Sequence, residues 1–68
     1  MEPIRTDEAI QLIEMEYAEM PGLKLTFWQA QRLWNFTEDV CDQALRALVR
    51  NGFLRRTADG SYVRPTAA

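Results

Sequence analysis

At 68 residues, 47% hydrophobic and 26% charged, the chain has room for one small domain whose core is marginal without a disulfide, a metal or a partner. A single cysteine, Cys41, excludes an internal disulfide, and the lack of histidine leaves a zinc site almost without ligands, so another protein chain is the expected support. The net charge of −2 hides a division: residues 1–43 carry nine acidic and three basic side chains, whereas residues 44–68 carry five arginines against Asp59 alone.

No apolar run approaches membrane-spanning length, and the opening MEPIRTDEAI has neither the basic nor the apolar region of a signal peptide. The expectation is a cytoplasmic, reduced protein with no membrane partner, no cofactor and no metal.

The first helix is predicted over about 7–20, with Thr6 as N-cap, Asp7 and Glu8 at its positive end, and MPG as its stop. Ile10, Ile13, Tyr17 and Met20 recur at steps of three and four and form its inward stripe. Leu12 and Met15 fall among Glu8 and Glu19 on the other side, a pattern that suits a subunit contact.

LKL, residues 23–25, reads as a short extended piece before the second helix, about 26–35. Thr26 and Gln29 have the spacing of a capping box, and Asn35 suits a left-handed C-terminal turn. Phe27, Ala30, Leu33 and Trp34 are assigned to the core face. Trp28 and Arg32, four apart on the outer face, have the spacing of a cation–π pair and of a partner contact.

After the spacer Phe36, a third helix is predicted over about 37–51, capped by Thr37 and closed by Asn51 and Gly52. Cys41, Ala44, Leu45 and Leu48 lie on its inner side, which makes Cys41 a small buried hydrophobe. The outer face holds Asp39, Asp42, Gln43, Arg46 and Arg50.

A hairpin follows over about 53–64, with a tail at 65–68 that nothing holds. A two-residue loop at Asp59-Gly60 would set Arg55 against Arg64, an unfavourable like-charge pair. A four-residue loop, TADG, pairs Leu54 with Val63 and Arg55 with Tyr62, placing both aliphatic side chains on one face, and is the preferred register. The predicted core gathers Ile13, Tyr17, Ala30, Leu33, Cys41, Leu45, Leu48 and Leu54.

LTFWQAQRLWNF, TEDVCDQALRALVRNG and FLRRTADGSYVR, with Ala30 and Leu33 in the first of these and Cys41 and Leu45 in the second, carry a family likeness. From about residue 23 to 64 the chain resembles the winged helix-turn-helix DNA-binding domains of bacterial transcriptional regulators. The resemblance implies a mainly α fold, a three-helix bundle with a two-stranded wing as a single domain over 1–68. It further implies a DNA-binding transcriptional regulator, a dimer in which two half-site contacts add, with the third helix toward the major groove and the wing near phosphates.

Carried over by position, the reading helix offers Thr37, Glu38, Asp39, Asp42, Gln43 and Arg46. The DNA-binding set is Thr37, Gln43, Arg46, Arg50, Arg55, Arg56 and Arg64, with Gln43 suited to adenine and Arg46 to guanine. The three carboxylates depart from what a polyanion favours. Glu38 and Asp39 also suit the helix dipole, and Asp42 suits an ion pair with Arg46.

The alternative is a protein-interaction module, a homodimer or a complex with another protein, whose interface would use Leu12, Met15, Trp28 and Arg32. No catalytic residues are expected: there is no histidine, no glycine-rich phosphate loop, and no nucleophile beside a base.

Overall fold

The computed structural model describes residues 4–65, and these hold three helices and a small antiparallel sheet. In chain order they are α1 (Thr6–Glu19), β1 (Leu25–Thr26), α2 (Phe27–Trp34), α3 (Glu38–Arg50), β2 (Arg55–Arg56) and β3 (Ser61–Val63). Residues 66–68, most of the segment read as a tail, lie outside the described residues.

Helix α1 starts at Thr6, one residue earlier than expected. Arg5 is the N-cap, and its backbone N–H donates to the Glu8 carboxylate at 3.1 Å. The Thr6 hydroxyl instead donates across to Gln43 Oε1 on α3 at 3.0 Å, so it is not the cap. The helix stops before Pro21, because the residue preceding a proline is pushed out of the helical region, and Met20 sits at φ −128°, ψ 81°.

The capping box of α2 forms as expected: Gln29 N–H donates to Thr26 Oγ1 at 3.2 Å, and Thr26 N–H donates to Gln29 Oε1 at 3.0 Å. Asn35 turns left-handed at φ 55°, and both its own N–H and that of Phe36 donate to the Gln31 carbonyl. That turn carries Phe36 inward. The residue read as a spacer is core, 4% exposed, with its ring 5.7 Å from Trp34.

Leu33 is corrected the other way, standing 56% exposed. It lies about 100° around the helix from Trp34, at the edge of the stripe that Phe27, Ala30 and Trp34 turn inward. Met20, past the end of α1, is likewise exposed, and Ile10 is half-buried. The core proper is Ala9, Ile13, Tyr17, Ala30, Phe36, Cys41, Ala44, Leu45, Leu48 and Leu54, with α1 packed chiefly on α3. Burying side chains of this size contributes about 1.5–3 kcal/mol for each large one.

The sheet has three strands rather than two, in the order β1-β3-β2. β1 grows from the extended piece before α2 and pairs Leu25 with Tyr62 and Thr26 with Ser61. The hairpin register is neither of those expected: Arg55 faces Val63 and Arg56 faces Tyr62. Gly60 N–H donates to Thr57 O at 3.0 Å, Gly60 sits at φ 87°, and Thr57 N–H donates to Ser61 O at 2.7 Å. This is a three-residue loop closed by a left-handed glycine.

The preference for a shared aliphatic face failed because Leu54 is outside the ladder. Its N–H donates to the Leu48 carbonyl at 3.0 Å, and its side chain is buried beneath the end of α3 before β2 begins. Tyr17 ties the two halves together, its hydroxyl donating to the Tyr62 carbonyl at 2.7 Å. Burial pushes that phenol up to about 12.

Candidate nucleic-acid interface

Three elements meet around a groove of about 620 Å³. Phe27 and Trp28, the first turn of α2, form one wall. Asp42, Arg46, Val49 and Arg50, successive positions along one side of α3, form the second. Arg56 and Tyr62, cross-strand partners on one face of the sheet, form the third.

The geometry sorts the expected DNA-binding residues into three groups. Arg46, Arg50 and Arg56 converge on the groove. Arg55 pairs with Val63 and so points to the opposite face of the sheet, exposed but turned away from the other three. Thr37, Gln43 and Arg64 are committed within the fold. The Thr37 hydroxyl accepts from Val40 N–H at 3.2 Å as the α3 cap, and Gln43 accepts from Thr6 on the side facing α1. Arg64 folds back, its guanidinium 3.8 Å from the Phe53 ring centroid and donating to the Phe53 carbonyl.

Charge within the groove is unevenly free. Arg46 Nε donates to Asp42 Oδ1 at 3.1 Å, the expected i, i+4 pair, so part of its charge is already answered. Among the described residues Arg50, Arg55 and Arg56 have no carboxylate at ion-pair distance. The hairpin tip is not cationic. It carries Asp59, paired with Lys24 at 3.5 Å and held below the usual carboxylate range, at about 2, first by the Thr57 hydroxyl and then by Ser61 and Lys24.

The residues expected to meet a partner also separate. Met15 and Trp28 are each 60% exposed, and Arg32 is exposed. Leu12 is half-buried against the core, which removes it from an outward surface; it lies a quarter turn from Ile13, close enough for its side chain to reach the bundle. Trp28 does not stack on Arg32. Its ring stands edge-on to Phe27, with centroids 5.1 Å apart and planes at 85°.

Cys41 is fully buried, its thiol directed at the Phe27 carbonyl 3.8 Å away. Burial, and then Asp42, push it up to about 11, so the thiolate needed for nucleophilic attack is suppressed at neutral pH.

Phe27, Tyr62 and Val49 are the groove residues that sequence reasoning did not find, Phe27 having been assigned to the core face alone. The signal for Tyr62 lay in the loop: a glycine three residues after Thr57 sets the register that pairs it with Arg56. Val49 was hidden because an apolar residue on a helix reads as core, whereas here it is exposed beside the groove. Compared with protein families, curated proteins and solved structures, the chain matches none. Among the described residues no helix is long and apolar enough to cross a membrane.

Proposed function

We propose that the chain is a winged helix-turn-helix protein that binds double-stranded DNA, a transcriptional regulator in which α3 enters the major groove and the β2-β3 hairpin is the wing. One observation carries this reading: Arg46, Arg50 and Arg56 reach a common groove from two elements joined by a turn. Arginines gathered in this way neutralise phosphates and displace condensed counterions, which is the main source of sequence-independent affinity. The element order and the β1-β3-β2 sheet are compatible with the same layout.

The contact set is narrower than the family pattern alone implies. Arg50 and Arg56 face phosphates directly, Arg46 joins them when it leaves Asp42, and Arg64 stays with Phe53. Titration of a labelled duplex with the purified protein at two salt concentrations tests the reading. Arg50→Ala and Arg56→Ala should each weaken binding to unrelated duplexes about equally and make the salt slope shallower by about 0.9. Undetectable binding at low salt would overturn it.

The exposure of Met15 and Leu33 favours a second reading, in which the domain docks on another protein or a second copy of itself. Sedimentation decides that point: a stable monomer at high concentration removes self-association.

A further inference from the structure

A duplex offers base edges and phosphates to a protein, but it keeps the faces of its bases stacked. The groove has a feature that edges and phosphates do not use. Trp28 is 60% exposed on the α2 wall, the arginines standing on the other two, and its edge-on contact with Phe27 covers at most one face of the indole. Tyr62 is half-buried across the same groove, beside Arg56.

We infer that this groove binds single-stranded nucleic acid, with an unpaired base stacked on Trp28 and the flanking phosphates on Arg50 and Arg56. The inference rests on the reading of the groove as a phosphate-facing surface and extends it to a second form of the polymer. An aromatic platform beside a cationic track is the combination by which proteins hold single strands without reading sequence, because every base has a π-face. The volume, about 620 Å³, lies within the range of about 300–1,000 Å³ typical of sites that enclose small organic groups. A base with its sugar is such a group.

The charges fit the same occupant. Asp42 is turned onto Arg46 at 3.1 Å, which leaves Arg50 and Arg56, one on each side of the groove, as its unpaired cations among the described residues. An aromatic ligand without phosphates would leave both arginines unanswered, and a plain polyanion would leave the indole unused.

The test is fluorescence anisotropy of a labelled oligothymidylate and of a labelled duplex, at one low salt concentration, with the parent protein and with Trp28→Ala and Trp28→Phe. Trp28→Ala should weaken the oligothymidylate complex by about 5- to 150-fold, the range that loss of one stacked base implies. Trp28→Phe should recover most of that loss, and in Trp28→Ala the duplex complex should lose clearly less affinity than the oligothymidylate complex. Because Trp28 is exposed, both variants should melt with the parent. An unchanged oligothymidylate affinity in Trp28→Ala, an equal loss for both polymers, or duplex binding without single-strand binding would each overturn the inference while leaving duplex recognition standing. Single-strand binding without duplex binding would support it and refute the duplex reading, and binding of neither would refute both.

Discussion

On the proposed DNA-binding reading, replacing Asp42 with asparagine separates the fold's use of Arg46 from its use by DNA. The pair spans 3.1 Å between side chains that are 49% exposed on Asp42 and 72% on Arg46. Two unit charges at that distance in bulk water attract by about 1.3 kcal/mol. Screening and the entropy of holding two side chains together reduce exposed i, i+4 pairs to about 0.3–0.5 kcal/mol. Asp42→Asn should therefore lower Tm by only about 1–4 °C in a domain of this size. Its effect on DNA should be larger in proportion. With Arg50 and Arg56 engaged, the log–log salt slope is about −1.8 per chain, and a released Arg46 takes it to about −2.7. The advantage of the variant over the parent should then grow by about 3.5-fold between about 200 mM and about 50 mM salt. Anisotropy of a labelled duplex across that range, with melting followed by circular dichroism, measures both quantities. A slope equal to or shallower than the parent's would refute the argument, because it would mean that Arg46 reaches DNA only when Asp42 holds it, or not at all.

Tyr17→Phe removes the bond to the Tyr62 carbonyl and should cost about 1 kcal/mol, or about 4–8 °C in Tm. Because folding raises this phenol from 10.0 to about 12, its contribution is complete below pH 10 and declines as pH rises toward 12; alkaline melts of the parent should show that decline, and those of the variant should lack it. Asp59 is shifted the opposite way, from 3.8 to about 2, so its contribution is present above pH 3.8 and lost as pH falls through about 2; acid melts of Asp59→Ala should lose that dependence. Leu48→Ala should cost about 2–5 kcal/mol, a large share of the stability of so small a domain, whereas Leu33→Ala should cost less than about 0.5 kcal/mol. Denaturant titration compares the two, and equal losses would contradict the assignment of Leu33 to the surface.

Local chemistry is what the sequence made legible. Thr26 with Gln29, Thr37 before Val40, Asn35 at φ 55° and Gly52 at φ 85° act within a few residues of themselves, so spacing alone located the ends of α2 and α3. Leu33 and Phe36 were exchanged because a periodic pattern describes a straight helix and says nothing of a residue that a left-handed turn swings inward. The hairpin failed for a related reason: Leu54 is buried by α3, an element outside the strand pair from which its register was argued. Of the site, Arg46, Arg50 and Arg56 were found as charge. Their convergence was not legible, nor was the diversion of Gln43 to Thr6 and of Arg64 to Phe53, since each depends on a contact made across the fold.

Thr26 belongs to two elements at once, pairing with Ser61 in the sheet and capping α2 through Gln29. The first turn of α2, with Phe27 and Trp28, is thereby spliced to the strand that carries Tyr62 without any intervening loop. Backbone bonds, rather than side-chain packing, set the distance between those two walls. On the proposed reading, a ligand entering between them would meet walls already tied together and spend little free energy on ordering them. Association should accordingly be governed by encounter and charge, at rates that differ little among related ligands, and preference between them should appear in how long each remains bound.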